Sequence, residues 1–178
     1  MKQYTTLTLP ALGAAFIAVL AQITLPIGPV PFSLQNMAIG LIATLFKPRE
    51  ALLSTLLYLL LGSIGLPVFA GGHGGVSALI GPSAGYLWAY IAYAGLTSYL
   101  TKPKSPISAI FFANLLGDSL VFVGGCLGLH ILASMPVAKI WLLGVLPFIL
   151  PDLVKILVIS LISRELFRHL GQHTYFKS

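Results

Sequence analysis

The sequence predicts an all-α integral membrane protein, one bundle of six transmembrane helices with both termini cytoplasmic. Composition is the first reason, because 57% of the residues are hydrophobic and only 8% carry charge, whereas an ordinary soluble domain is about 25% charged. The mean hydropathy of +0.97 points the same way. The second reason is spacing. Uncharged stretches of roughly 20 residues, the length of helix that crosses a bilayer core, alternate with short segments rich in Gly, Pro and charge. The third is that Lys and Arg collect in alternate connections. A chain of 178 residues leaves room for one membrane domain, 1–178, and none for a soluble enzyme domain beside it.

The first span covers about 7–25. It follows Lys2 as a signal peptide would, but no small-x-small cleavage site comes before the next apolar segment, so it reads as a mature helix. Ala11 with Ala15, and Ala14 with Ala18, give it two small-xxx-small pairs that permit close helix contact. The second span, about 30–46, is short once its "PIGPVPF" lead-in is removed, so tilt or shielding by neighbours is expected. The third runs over about 50–66 and the fourth over about 83–101, where Pro82 and Ser83 form a turn and cap just before Tyr86 and Trp88. The fifth, about 106–133, carries Asn114, Asp118 and Ser119 as a polar stripe, with Gly124 and Gly128 as a further small pair. The sixth, about 140–164, contains "PFILPDLVK".

The cations test this arrangement independently. Lys2, Lys47, Arg49, Lys102, Lys104, Arg164, Arg168 and Lys177 fall on one side, Lys139 falls on the other, and Lys155 lies within the last span. Short cytoplasmic loops collect Lys and Arg, so the crowded side is the inner one and holds both termini. The formal net charge of +6 therefore reads as topology. Nucleic acid is not an expected partner, since the basic residues are scattered over separate loops. Tyr4, Trp88, Tyr99 and Trp141 fall near span ends, where amphipathic rings sit in a bilayer.

Two uncharged loops, about 26–33 and 67–82, then face outward. The second contains "GLPVFAGGHGG", with Gly71, Gly72 and Gly74 around His73. It lacks the lysine of a phosphate-binding G-x-x-x-x-G-K-[ST] loop. It is either a plain connector or a loop that folds over a cavity, and Val68 and Phe69 favour the second, being poor choices for a segment in water. A lid of this kind would be locked by Gly71→Pro or Gly74→Pro. "IGPVPF" and "IGLPVF" echo each other as a weak internal repeat. His73 is either a ligand contact or a passive polar residue.

Catalytic and metal chemistry find little footing. Cys126 is the single cysteine, so no internal disulfide forms. His169 and His173 share a helical spacing but lack the glutamate of H-E-x-x-H, and no metal site is expected. No Ser-His-Asp, Cys-His or paired-carboxylate constellation stands out, and no catalytic residue is assigned. What remains are ionisable groups at membrane depth, which are costly enough to be functional candidates by default. Asp152 and Lys155, at i, i+3, share a helix face and can pair, next to a segment that Pro147 and Pro151 make irregular. The pair is either a structural bridge or a donor and acceptor for one polar ligand. Asn114 and Asp118, one turn apart, either complete that ligand pocket or bond to a neighbouring helix.

"GPVPFSLQ", "LGSIGLPVFAGGHGG", "GPSAGYL" and "PFILPDLVK", in this order in a six-span chain, resemble the BioY family, the biotin-specific substrate-capture (S) components of energy-coupling factor (ECF) transporters. The likeness covers nearly the whole chain. Ser33 and the Ser83-Ala84 pair depart from it conservatively, standing where threonine or glycine is more usual. The resemblance implies a non-catalytic subunit of the prokaryotic plasma membrane that captures biotin at the outer face, with outward loops closing over it and no cofactor. It further implies that an A-x-x-x-A pattern of the first helix, Ala11 to Ala15 or Ala14 to Ala18, docks on a transmembrane coupling subunit carrying two ATPases. Asp152 and Lys155 match the family's polar pair that meets the ligand.

Biotin offers two ureido N–H donors, one carbonyl acceptor, an apolar bicycle and a carboxylate. Asp152 suits an N–H, and Lys155 suits the carbonyl or a partial offset of charge. Gln35, Asn114 and loop N–H groups of Gly71, Gly72, His73 and Gly74 suit the carboxylate, with Phe69, Tyr86 and Trp88 walling the apolar body and Asp118 beside them. Two other readings use the same residues: a stand-alone facilitator or proton-coupled carrier with the intramembrane acids as relay, and a membrane-embedded enzyme with Asp118 and Asp152 as acid and base.

Overall fold

A backbone surrounded by lipid must bond to itself, and the uncharged stretches accordingly become helices. The computed structural model describes residues 2–25, 30–170 and 175, with side chains described from residue 7 to residue 169 and at 175. Residues 26–29 of the first outward loop, the side chains of Lys2 and Tyr4, and all of His173 and Lys177 lie outside the described residues.

Helix α1 spans Lys2–Ala21 and enters a small antiparallel hairpin, β1 (Thr24–Leu25) against β2 (Phe32–Ser33), with Thr24 opposite Ser33. Then come α2 (Gln35–Leu45) and α3 (Pro48–Ser63), a single 3₁₀ turn at Ala70–Gly72, and a short α4 (Val76–Ile80). Helices α5 (Ala84–Leu100) and α6 (Ile107–Ala133) follow. Finally α7 (Val137–Ile140) runs through one wide π turn, Trp141–Val145, into α8 (Leu146–Leu170). Two helical stretches, Ile107–Ala133 and Val137–His169, are long and apolar enough to cross a membrane by themselves.

The stretch expected as a second span over 30–46 is helical only over 35–45. Its eleven residues rise about 16 Å, roughly half of the ~30 Å hydrocarbon core. Pro31 explains the loss, because the residue before a proline is pushed out of the helical region. The preceding residues form the hairpin instead, and Val30 and Ser33 are buried there.

Side chains are arranged inside out relative to a soluble protein. Leu116, Val123, Leu127, Leu150 and Val154 are exposed on the outer wall, whereas Gln35, Thr44, Ser54, Asn114, Asp118, Asp152 and Lys155 are buried. Lipid, not water, suits that wall. Helices approach closely where side chains vanish. Gly85 of α5 meets Gly124 and Gly128 of α6 with no room for a methyl group on either side, so that small pair holds two helices of this bundle together. On α1, Ala14 is buried and Ala18 half-buried, while Ala11 and Ala15 are exposed. The two candidate docking pairs thus lie on different faces, one turned toward the bundle and one away.

The connection after α2 and the connection after α5 gather around the C-terminal part of the chain. The Lys47 N–H donates to Tyr175 Oη at 2.8 Å, and Arg164 Nη1 reaches Ser105 O at 3.4 Å. The hairpin and the 64–83 connection lie at the other end, where the main cavity opens.

Candidate functional site

The glycine-rich connection is folded tightly, and its backbone explains its composition. Gly71 and Gly72 have φ of +74° and +75°, a region that side-chain-bearing residues avoid. Proline, fixed near −65°, cannot occupy Gly71, so the substitution expected to lock the loop would distort it. The connection is tied down at several points. Gly75 N–H donates to Gly62 O at 2.7 Å and Phe69 N–H to His73 O at 2.9 Å. Tyr58 Oη donates to Val68 O at 3.2 Å, and Gln22 Nε2, at the end of α1, reaches the same carbonyl at 3.3 Å.

Phe69 is the anchor of this arrangement. It is 2% exposed and packs edge-on against Tyr58, with ring centroids 5.5 Å apart. Its ring fills the notch left by Gly62, where any β-carbon would collide with it.

Beneath the connection lies a cavity of about 470 Å³, within the range of small-molecule sites. The hairpin and α2 contribute Ser33, Gln35 and Asn36; the connection contributes Phe69, His73, Gly74 and Ser77; α5 contributes Tyr86, Leu87 and Tyr90. Helix α6 supplies Asp118, Val121 and Phe122, and α8 supplies Phe148, Asp152 and Lys155. The segment that Pro147 and Pro151 are expected to make irregular is continuous α8; the irregular winding is the π turn just before it, and Tyr86 Oη donates to that turn's Gly144 carbonyl at 2.8 Å.

The charged centre is a connected network. Lys155 Nζ makes three bonds of 2.8 Å, to Asp152 Oδ1, Asn36 Oδ1 and Ser33 O. An ammonium has three protons, so every donor of Lys155 is spent on the protein. It also stands 4.1 Å above the centre of the Phe32 ring. Lys155 therefore meets a ligand carbonyl only by giving up one of these three acceptors. Asn36 Nδ2 donates in turn to Asp118 Oδ1 at 3.3 Å.

Free hydrogen-bonding capacity lies elsewhere. Asp152 and Asp118, 5% and 4% exposed, each keep one carboxylate oxygen with no protein partner among the described residues. Gln35 Nε2 is buried without a partner, and Tyr90 Oη has none among the described residues. Two acceptors and two donors therefore await something in the cavity, an unstable state for buried groups unless water or a ligand completes them.

The structure brings most of the expected site residues together and separates others. Asp152, Lys155, Gln35, Phe69, His73, Gly74, Tyr86 and Asp118 line the cavity. Gly71 and Gly72 belong to the loop above it but are not among the lining residues. Asn114 is elsewhere: it donates to Thr44 Oγ1 and Ile110 O, both at 2.9 Å, and accepts from Tyr93 Oη at 2.9 Å. Fully buried, with both N–H protons spent and its oxygen bonded to Tyr93, it joins α2, α5 and α6 and does not line the cavity. Trp88 faces outward, 51% exposed, with its indole N–H on Leu79 O, in a shallow apolar groove on the far side of α5. Ser119 is exposed and bonds to Leu115 O within its own helix. Sequence reasoning missed Asn36 and Tyr90. Tyr90 carried a signal, one turn after Tyr86 on the same face; Asn36 carried none beyond adjacency to Gln35.

Among the described residues no three His, Cys, Asp or Glu side chains gather as a metal site. His169 lies on the surface, 3.8 Å from Glu165.

Comparison with known proteins places this arrangement. Residues 1–172 match the model of the BioY family. The biotin transporter BioY2 of Lactococcus lactis subsp. cremoris is 41% identical over 170 residues, 95% of this chain and 93% of that protein. The biotin transporter BioY of Thermotoga maritima is 34% identical, over 85% of this chain and 89% of that one. A solved S-component for biotin from an ECF-type ABC transporter shares the fold with a TM-score of 0.89 and 33% identity, covering 98% of this chain and 97% of that chain.

Proposed function

We propose that this chain, which belongs to the BioY family, is the biotin-binding S component of an ECF-type vitamin transporter. It captures biotin at the outer face of the plasma membrane and passes it inward with an ATP-driven coupling module. The observation that carries this reading is the half-satisfied cavity. Its free groups, one oxygen each of Asp152 and Asp118 with donors at Gln35 and Tyr90, complement a cyclic urea, which presents two N–H donors and one carbonyl. The ureido carbonyl takes its bond from Gln35 or Tyr90, since Lys155 is committed. Tyr86, Leu87, Val121, Phe122 and Phe148 wall the apolar bicycle. The valeryl carboxylate points away from the two aspartates, toward His73, Ser77 and the loop amides at the mouth.

In this reading the chain crosses the membrane six times, α2 doing so with the hairpin that precedes it, and both termini are cytoplasmic. The connection held by Phe69 is the lid. The exposed Ala11–Ala15 face of α1 is the better docking surface for the coupling subunit, because Ala14 is already used inside the bundle. The chain has no catalytic role; the ATPases are separate chains.

Calorimetric titration of the purified chain in detergent tests the reading, with desthiobiotin, thiamine and riboflavin alongside biotin. One tight site per chain, selective for biotin and desthiobiotin, is the expected result. Folded protein that ignores biotin would sink it. Ala15→Trp separates docking from capture: ATP-dependent uptake in cells is lost while calorimetric affinity stays that of the unsubstituted chain.

A further inference from the structure

We propose that Asn36 is a positioning residue for the charged centre, setting Asp118 and Lys155 against each other through one neutral amide. The proposal rests on the biotin reading above. Asn36 is the second residue of α2, three positions after the hairpin's last residue, and is half-buried. Its Oδ1 accepts from Lys155 of α8 at 2.8 Å, and its Nδ2 donates to Asp118 of α6 at 3.3 Å. The Met37 N–H, 3.0 Å from the same Oδ1, holds the amide in this orientation from its own backbone.

The bridge has a direction that chemistry imposes. An ammonium only donates and a carboxylate only accepts, so a side chain between them must accept on one atom and donate from another. The asparagine amide does both without adding charge. It supplies Asp118 with its one protein donor among the described residues, leaving the second carboxylate oxygen for the cavity. It also completes the triad of acceptors that pins Lys155, and through Lys155 fixes the rotamer of Asp152. Both carboxylates offered to the ligand are therefore aimed through Asn36, which need not touch the ligand itself.

Exchange of the two groups tests this. In Asn36→Asp the introduced carboxylate still accepts from Lys155 but meets Asp118 with like charge and no donor. Combining it with Asp118→Asn restores an amide–carboxylate bond of reversed sense at unchanged total charge. Biotin affinity of the unsubstituted chain, both single variants and the double variant is measured by calorimetry on folded, monodisperse protein. Asn36→Asp is expected to weaken binding about 10- to 100-fold. The double variant is expected to bind more tightly than Asn36→Asp alone, the two losses failing to multiply by about tenfold or more. A residue that merely packs predicts losses that multiply, and that result would overturn the proposal. If Asn36→Asp does not fold, Asn36→Ala takes its place, and Asp118→Asn should again recover affinity by removing the stranded carboxylate. An unsubstituted chain that binds no biotin overturns the functional reading and this inference together. Binding by that chain with multiplying losses overturns this inference alone.

Discussion

Asn114 and Asp118 stand one turn apart on the same face of α6, both buried, yet they do opposite things. Asn114 has three bonds to α2, α5 and its own helix, which spend both of its donor protons. Asp118 has one bond, to Asn36, and an oxygen open to the cavity. The difference is one of accounting: polar groups that are satisfied hold helices together, and those left half-satisfied mark the place where a ligand belongs. The same contrast runs along the molecule, with Glu50 Oε2 and Ser163 Oγ, buried toward the termini without a partner among the described residues, as its exceptions. Toward the termini, Thr44, Tyr93, Thr97, Ser98 and Thr101 close their bonds within the bundle. Toward the hairpin and the glycine-rich connection, Gln35, Tyr90, Asp118 and Asp152 do not.

Substitutions that cross this divide should separate binding from stability. The largest effect is expected for Asp152→Ala, which removes a ligand acceptor and strands Lys155; biotin affinity should fall roughly 100-fold or more by calorimetry. Gly62→Leu comes next. It evicts the Phe69 ring from its notch, so the lid loosens and biotin release, followed by radioligand chase, should quicken about tenfold. Asn114→Ala should do the reverse of Asp152→Ala: the unfolding free energy in detergent drops by about 1–2 kcal/mol, while affinity of the folded fraction changes less than about threefold. Trp88→Ala should change affinity least, within about twofold, because its ring faces away from the cavity. A large loss from Trp88→Ala or Asn114→Ala would erase the contrast between the two regions.

Much of the site was legible because local spacing determines it. Asp152 and Lys155 at i, i+3 do form an ion pair of 2.8 Å, and the residues of "GLPVFAGGHGG" do cap a cavity. The all-helical class follows from composition, and the short second helix is expected as short, though not as eleven residues preceded by a hairpin. Two residues beyond Tyr86 on a helix is the opposite side, so the outward aim of Trp88 was available from spacing and was passed over. Other features were not local. The saturation of Lys155 depends on Ser33 and Asn36, over a hundred positions earlier, and no pattern around Lys155 announces them. Nor could periodicity show that Asn114 had found Tyr93 and Thr44; it gives the face a residue occupies, and partners on other helices decide whether that residue is spent. The two alanine pairs of α1 are equivalent as motifs and become different only when packing of α1 in the bundle buries Ala14.

The π turn at Trp141–Val145 gives the last helix its phase. Five residues there occupy a winding that an α-helix accomplishes with about one fewer, and each residue of α-helix turns the chain by about 100°. Everything after the turn is thus rotated by that amount relative to the stretch anchored at Ile140. Rewinding of this turn as ordinary α-helix with every residue kept would swing Asp152 and Lys155 round toward the lipid, whereas removal of one residue within it, such as Leu142, would leave their phase unchanged. The site therefore depends on a winding as well as on chemistry: the same residues wound as an uninterrupted α-helix would present the carboxylates to the wrong solvent.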